Sequence, residues 1–274
     1  MRAIHEEKCT SMAGVVLVFR EILAHPDRHR YDLSSLQCAI LGGTTVPPQL
    51  MRQVETELGI RRTCQAYGMT ESGCFLSSSF YIACDDDRRY TSIGRCMPHV
   101  ELKIVDNEGR TVPIGCEGEI WARGYSIMRG YYGDREQTAK MITDAAWLRT
   151  GDLGTMDQDG YLYFVGRKKE MFLHNGMKIY PGEIEQIIGE HASVAEVYVF
   201  SIPDPSIDET VCAWVKLKPN MKCEVDELKT FLTDKLPAYK IPEHIRFVDE
   251  FIRNATGKVQ KFKLAEAMIK EMNK

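Results

Sequence analysis

Five consecutive residues bring together an aromatic ring, a hydroxyl group and a carboxylate: Tyr67-Gly68-Met69-Thr70-Glu71. They follow Arg61 to Ala66, which is predicted to be a β-strand, and open α/β sheets bind their ligands at the ends of strands. An aromatic ring can stack on a purine, a hydroxyl can reach a phosphate, and a carboxylate can hold Mg²⁺. The segment is therefore a candidate nucleotide site, although such a string taken alone is more often a loop.

A second candidate is the carboxylate of Asp152, which follows Arg149-Thr150-Gly151. A carboxylate held just after a glycine turn can accept hydrogen bonds from both hydroxyls of a ribose. Arg167 lies fifteen residues further along the chain. The simpler interpretation of this acid and base is an ordinary salt bridge, which contributes little at a protein surface.

The glycine pair Gly42-Gly43, followed by Thr44-Thr45, is a third candidate because glycine lets backbone amides approach a phosphate. A phosphate loop of the Walker type ends in Gly-Lys-Ser/Thr, whereas Val46-Pro47-Pro48 follows here. A plain turn between a strand and a helix is therefore the favoured interpretation of these residues.

The elements that would hold these candidates change in type along the chain. A strand at Leu36 to Leu41, a glycine turn and a helix at Gln49 to Leu58 predict an α/β subdomain, and apolar residues recur at helical spacing from Met12 to Ala24. From about Ile93 short strands predict a small β-barrel-like subdomain. Its segments Gly118 to Gly124 and Gly130-Tyr131-Tyr132 are interpreted as mainly structural, with glycines at turns between strands.

The pattern changes again after Arg167. Asn175-Gly176 is a strong hairpin signal, and helices from Pro181 and over Val225 to Leu236 accompany apolar strands at Val194 to Phe200 and Val211 to Leu217. We therefore predict an α/β fold with two parts. Residues 1–166 form the α/β subdomain, to about residue 92, and the β subdomain, and residues 167–274 form an α+β C-terminal domain.

Composition argues against several other classes of protein. The chain has 274 residues, a formal net charge of -4 and 44% hydrophobic residues, which is typical of a globular protein. No basic surplus indicates nucleic acid, and the apolar run Gly14 to Phe19 is far shorter than the roughly 20 residues of a transmembrane helix. The 9 cysteines form no Cys-x-x-Cys pair, which predicts free thiols in a reducing, intracellular compartment.

Several segments occur in an order and spacing that resemble the core of adenylate-forming enzymes. This superfamily includes acyl-CoA synthetases, 4-coumarate-CoA ligases, luciferases and the adenylation domains of peptide synthetases. Tyr67 to Glu71 matches the family's Tyr-Gly-x-Thr-Glu motif, and Leu236 to Pro242 matches Leu-Pro-x-Tyr-x-x-Pro. The other matching segments are Arg149 to Leu153, Gly166 to Glu170, Tyr180 to Glu185 and Ala255 to Lys261.

The resemblance implies a role for each candidate in the first part of the chain. Tyr67 would lie against adenine, Thr70 would contact the α-phosphate of ATP or AMP, and Glu71 would hold Mg²⁺. Asp152 would accept the ribose hydroxyls. The other implied nucleotide-binding residues are Gly42, Gly43, Thr44, Gln65, Ala66 and Gly68.

Four residues of the second part also receive implied roles. Arg167 would contact ribose and phosphate, and Lys258 would reach the acyl carboxylate and the α-phosphate during catalysis. Lys169 would be the hinge about which a mobile C-terminal domain rotates between two half-reactions. Gly176 and its neighbours would then face the incoming thiol of coenzyme A.

The chain is most similar to fatty acyl-CoA synthetases of the medium-chain type, since Ile179-Tyr180-Pro181 precedes Gly-Glu-Ile-Glu. Such an enzyme makes an acyl-adenylate from a carboxylic acid and ATP, and then a thioester with coenzyme A. One alternative is an enzyme that adenylates an aromatic acid, as 4-coumarate-CoA ligase and luciferase do. Another is a truncated, non-catalytic chain that binds a nucleotide or a partner.

The last alternative arises because the family's Ser/Thr/Gly-rich phosphate loop does not occur in this sequence. We therefore expect a fragment of a longer enzyme. The C-terminus lacks a peroxisomal Ser-Lys-Leu signal, and the resemblance implies a mitochondrial location, with the cytoplasm as the alternative.

Overall fold

The structure is a computed structural model that describes residues 1–80, 82–83, 86–204, 206–254 and 259–272. The chain divides into two compact units, Met1–Val165 and Gly166–Lys274. Each unit contains a β-sheet with its own buried apolar core. The predicted α/β class is confirmed.

The first unit begins with a five-stranded sheet in the order β1-β2-β3-β4-β5. Its elements in chain order are α1 (Arg2–Glu7), β1 (Ser11–Val15), α2 (Val16–Ala24), β2 (Cys38–Gly42), α3 (Pro48–Leu58), β3 (Arg62–Tyr67), β4 (Ser77–Ser78), α4 (Arg88–Thr91) and β5 (Arg95–Cys96). The first three strands are parallel and in register, so Val15, Gly42 and Ala66 lie side by side at their carboxyl ends. This edge is where the candidate site forms.

Helix α3 shows why this part of the chain folds as predicted. Pro48 lies at the start of the helix, where its missing N–H costs nothing. The helix buries Leu50, Met51 and Val54 at helical spacing, and ends at Gly59, whose φ of 67° suits glycine. The start, the buried face and the end of this helix can therefore all be predicted from the sequence between Gly42 and Gly59.

The helical spacing from Met12 is misleading over its first residues. Ser11–Val15 is the parallel strand β1, and only Val16–Ala24 is helical. Gly14 disfavours helix by about 1 kcal/mol relative to alanine, and all five residues pair with β2. Pairing between distant strands overrides the local pattern here.

The rest of the first unit is an open four-stranded sheet, rather than a barrel-like subdomain, as far as the described residues show. It has the order β6-β7-β8-β9. Its elements are β6 (Val100–Val105), β7 (Gly118–Gly124), α5 (Arg135–Met141), β8 (Leu148–Met156) and β9 (Leu162–Arg167), the last two residues of which belong to the second unit. Gly118 and Gly124 are the first and last residues of β7, so they lie in a strand and not in the turns.

The second unit is an α+β fold around one sheet, in the order β11-β10-β13-β12 with β14 beside β13. Its elements are β10 (Phe172–His174), β11 (Met177–Ile179), α6 (Pro181–Gly189), β12 (Val194–Asp204), β13 (Asp208–Leu217), α7 (Val225–Thr233), β14 (His244–Phe247) and α8 (Lys261–Met272). Asn175 and Gly176 form the predicted hairpin turn, with φ of 51° and 73°. Ile184, Ile188, Leu228 and Leu232 bury the two helices against the sheet.

Within the described part of the chain, no helix is both long and apolar enough to cross a bilayer. The eight cysteines that the structure describes are all free thiols.

Candidate nucleotide site

A partly buried hydrogen bond joins two of the predicted site residues at the carboxyl edge of the first sheet. The Tyr67 hydroxyl donates to Asp152 Oδ2 at 2.8 Å, across 85 positions of sequence. Tyr67 is the last residue of β3, and Asp152 lies in β8 with only 7% of its surface exposed. The Tyr67 ring also lies 6.5 Å from the ring of Phe164. An aromatic face and a carboxylate are thus fixed side by side.

Asp152 is positioned by a β-bulge, where a turn was predicted. The pairing of β7 with β8 shifts register at this point, and Gly151 has a φ of 71°. The Thr150 hydroxyl donates to Ile120 O at 2.7 Å and accepts from Asp152 N at 3.1 Å. The Gly151 amide donates to Glu119 Oε1 at 3.1 Å. Bulges of this kind re-aim side chains next to active sites.

Glu119 is a residue that sequence analysis assigned only to structure. It is buried, with 9% of its surface exposed, and it holds the amide of Gly151. Its only sequence signal was its place in the motif that begins at Gly118. We interpret Glu119 as a residue that positions the bulge and through it Asp152.

The glycine pair lies beside this edge. A Cβ on Gly42 would lie 2.6 Å from Ala66 O, and Gly43 has a φ of 81°. Both positions therefore require glycine, which keeps the backbone of β2 close to that of β3. Thr44 follows in the turn with an exposed side chain.

The side-chain amide of Gln65 forms a hydrogen bond with the backbone of Tyr90. Its Nε2 donates to Tyr90 O at 2.7 Å, and the side chain is buried. The Gln65 side chain therefore has a hydrogen-bond partner within the fold. Its contact with a nucleotide stays a prediction.

The chain turns sharply after Tyr67. A Cβ on Gly68 would lie 1.9 Å from Cys74 O, so no other residue fits without moving the backbone. The Met69 amide donates to Ser72 Oγ at 3.0 Å, which closes a short 3₁₀ turn over Thr70–Ser72. Thr70 and Glu71 therefore lie in an ordered turn just after the end of β3.

Glu71 has a partner that sequence analysis missed. The Tyr131 hydroxyl donates to Glu71 Oε1 at 2.7 Å, and the Met128 amide donates to Glu71 O at 2.8 Å. The hydrogen bond to the carboxylate, together with burial, raises the pKa of Tyr131. Among the described residues, Glu71 Oε2 takes no hydrogen bond. A carboxylate held through one oxygen in this way fits a hard cation such as Mg²⁺ at the other.

The loop that contains Tyr131 is held in place by contacts with Thr138. Gly130 has a φ of 149°, and a Cβ there would lie 2.7 Å from Thr138 Cγ2. The Tyr131 amide donates to Thr138 Oγ1 at 2.9 Å. The Gly-Tyr-Tyr segment interpreted as structural therefore contributes a side chain to the candidate site.

An apolar cavity of about 240 Å³ opens beside β3. Its lining is almost entirely apolar and consists of Ile40, Ala66, Phe75, Ser78, Phe80 and Met97. Ala66 precedes Tyr67 directly, so the cavity adjoins the strand end that carries the polar site.

The remaining predicted residues belong to the second unit. Arg167 ends β9 with its Nη1 at 3.9 Å from Glu170 Oε1, and Lys169 lies in the turn that follows. Gly176 lies at the tip of the β10–β11 hairpin. Lys258, the predicted catalytic lysine, lies outside the described residues.

Two family models match the chain. Residues 1–132 match the AMP-binding enzyme model, and residues 183–258 match the AMP-binding enzyme C-terminal domain. The chain belongs to the AMP-binding enzyme family. The superfamily resemblance predicted from its motifs is confirmed.

Curated relatives align with nearly all of this chain. A Bacillus subtilis protein that carries the name acyl-CoA synthetase YngI is 39% identical over 100% of the chain and 50% of its own length. The mitochondrial medium-chain acyl-CoA ligase ACSF2 of Danio rerio is 37% identical over 99% of the chain and 45% of its own length. The chain therefore spans about half the length of the curated relatives it matches.

Solved structures of two other enzymes have a similar fold. The amide bond synthetase McbA from Marinactinospora thermotolerans superposes with a TM-score of 0.87 at 31% identity, over 97% of this chain and 53% of that one. The anthranilate CoA ligase AuaEII, in complex with anthranoyl-AMP, gives a TM-score of 0.85 at 31% identity, over 96% of this chain and 51% of that one.

Proposed function

We propose that this chain supplies the nucleotide site and the C-terminal domain of an acid–thiol ligase that makes acyl-coenzyme A. The observation that carries the proposal is the Tyr67–Asp152 hydrogen bond beside the Gly42–Gly43 turn. It holds an aromatic face and a carboxylate side by side, and this pair of groups supports a role in binding adenosine. The relatives named as acyl-CoA synthetase and ligase support the same reaction class.

The first step joins the carboxylic acid to AMP. A carboxylate oxygen attacks the α-phosphorus of ATP, and pyrophosphate leaves. Tyr67 stacks on the adenine, Asp152 accepts hydrogen bonds from the ribose hydroxyls, and the Thr70 hydroxyl donates to the α-phosphate. Bound Mg²⁺ neutralises phosphate charge in such reactions, and Glu71 is the residue that would hold it.

The second step transfers the acyl group to coenzyme A. The thiolate sulfur attacks the carbonyl carbon of the acyl-adenylate, and AMP leaves as the new thioester forms. In this proposal Lys258 acts in the first step, Arg167 binds the nucleotide, and Lys169 is the hinge between the steps. Gly176 then lies beside the incoming thiol.

The substrate class that the apolar cavity favours is a hydrophobic acid. The six residues that line it offer one hydroxyl, that of Ser78, and otherwise carbon and sulfur. A pocket of this kind distinguishes chain lengths by only about 1–3 kcal/mol per methylene, so the cavity does not set one length. We propose medium-chain fatty acids as the class because relatives are named medium-chain acyl-CoA ligases. The mitochondrial names of the vertebrate relatives support a mitochondrial location.

An aromatic acid is the second candidate substrate. Phe75 and Phe80 line the cavity, and rings can pack there against a flat substrate. The structural similarity to a ligase bound to anthranoyl-AMP favours the same alternative.

The test is thioester formation from coenzyme A, ATP and a panel of acids that includes octanoate, 4-coumarate and anthranilate. The 274-residue chain is assayed alone and fused behind the N-terminal half of the Danio rerio ligase. We expect the fused protein to be active, with octanoate preferred. Activity with aromatic acids only would favour the second candidate, and no activity with any acid would favour a non-catalytic binding chain.

A further inference from the structure

Three potential metal ligands meet in the second unit: His191, Cys223 and Glu227. One ligand atom from each lies within 4.8 Å of the other two, and His191 Nε2 lies 3.8 Å from Glu227 Oε1. His191 follows α6, Cys223 precedes α7, and Glu227 lies in the first turn of α7. None of them belongs to the nucleotide site.

The fold already holds each of the three side chains in place. The His191 ring packs edge-on against Phe231, with ring centroids 4.9 Å apart, and 11% of its side chain is exposed. Glu227 Oε2 accepts from the Glu224 amide at 3.4 Å, in a capping box that turns Oε1 toward the histidine. Cys223 is buried in the apolar core of the unit. A cation would thus find its ligands largely pre-positioned.

The combination of donors selects the kind of cation. An imidazole nitrogen, a thiolate and one carboxylate are the ligands of Zn²⁺ and similar metals, whereas Mg²⁺ and Ca²⁺ take oxygen ligands. Tetrahedral bonds of about 2.0–2.3 Å place ligand atoms roughly 3.3–3.7 Å apart. The His191–Glu227 separation of 3.8 Å is already close to that range, and the upper limit of 4.8 Å for the three pairs lies about 1 Å above it.

A plain ion pair beside a buried thiol is the competing interpretation. Burial, and then the Glu227 carboxylate, raises the pKa of Cys223, so the thiol is protonated without a cation. The Ser193 amide also donates to His191 Nδ1 at a long 3.3 Å. Metal binding releases the thiol proton, moves the ring proton to Nδ1 and gives up that long hydrogen bond.

We propose that this cluster binds Zn²⁺ through His191, Cys223 and Glu227, with water in the fourth position. The bound ion would clamp the loop between α6 and β12 to the start of α7. This proposal does not depend on the proposed ligase activity.

Cobalt binding tests the site, because a Co²⁺–thiolate bond gives a charge-transfer absorption band. The metal-free, reduced chain is titrated with Co²⁺ and then with Zn²⁺ as competitor. We expect one equivalent to produce the band in the wild-type chain and in Cys116→Ser, whose exposed thiol lies in the other unit. Cys223→Ser should lose the band.

Glu227→Gln keeps the test valid if the buried cysteine variant does not fold, because glutamine preserves the capping box. It should bind Zn²⁺ at least about tenfold more weakly, an effect that even outer-shell changes reach, with an unchanged melting temperature in the absence of metal. The proposal is overturned if the wild-type chain gives no band, if the band survives in Cys223→Ser, or if Glu227→Gln binds Zn²⁺ as tightly as wild type.

Discussion

At the scale of single residues, the site depends on two hydroxyl-to-carboxylate bonds, Tyr67 to Asp152 and Tyr131 to Glu71. The motif Tyr67 to Glu71 contains two of these four residues, and the Gly151-Asp152 pair identified a third, Asp152, from residue types alone. Neither pairing could be predicted, because the partners lie 85 and 60 positions apart. Gly151 illustrates the same limit, since a glycine before an aspartate predicts a turn, while only strand pairing makes it a bulge.

Removing the Tyr131 hydroxyl should weaken the proposed divalent-cation site at Glu71 without disturbing the fold. In Tyr131→Phe the Glu71 carboxylate loses the bond that orients it, and a net hydrogen bond contributes about 1 kcal/mol. We therefore expect a roughly fivefold higher half-saturating Mn²⁺ concentration, measured by water-proton relaxation with ATP present.

Tyr132→Phe is the matched control, because Tyr132 is the next residue and is fully exposed. It should bind Mn²⁺ as wild type does. Equal affinity in Tyr131→Phe and Tyr132→Phe would show that Tyr131 does not position Glu71.

At the scale of elements, one buried polar network ties α3 and α4 to β3. Glu55 on α3 accepts from the Tyr90 hydroxyl at 2.6 Å and from the Thr63 hydroxyl at 2.7 Å, and it pairs with Arg89. Arg89 is 4% exposed, so it needs this anion. Sequence patterns predicted α3 and β3, but they carry no sign of the network, because its members are scattered over 35 positions.

Breaking this network should destabilise the first unit. Glu55→Gln leaves the buried Arg89 charge without its partner, which costs about 3 kcal/mol in such sites. Urea unfolding at pH 7 measures the loss. Glu57→Gln on the same helix removes only an exposed ion pair with Arg28 and should cost less than about 1 kcal/mol.

The same carboxylate predicts a pH dependence. Burial alone would raise the pKa of Glu55, but the hydrogen bonds from Tyr90, Arg89 and Thr63 outweigh it and lower the pKa below 4.5. Glu55 therefore stabilises the fold fully above that value, and the contribution is lost as pH falls through the lowered pKa. The difference in unfolding free energy between wild type and Glu55→Gln should shrink as the pH is lowered below 4.5; a constant difference would contradict this assignment.

At the scale of the whole molecule, two units with separate cores predict separate folding. Residues 166–274 contain a complete sheet, with Ile184 and Ile188 of α6 fully buried against it. We expect this piece alone to unfold cooperatively in a circular-dichroism melt. Residues 194–274 lack α6 and the first hairpin, and should show no such transition. A non-cooperative melt of residues 166–274 would mean that this unit needs the rest of the chain.

We propose that the carboxyl edge of the first sheet binds an acyl-adenylate. Calorimetry with a non-hydrolysable octanoyl-adenylate analogue tests it directly on the 274-residue chain. We expect saturable binding that falls at least about tenfold in Asp152→Asn, since the ribose loses a charged acceptor. Asp144→Asn, an exposed aspartate of the same unit, should bind as wild type does. Binding that is absent, or equally strong in Asp152→Asn, would contradict the claim.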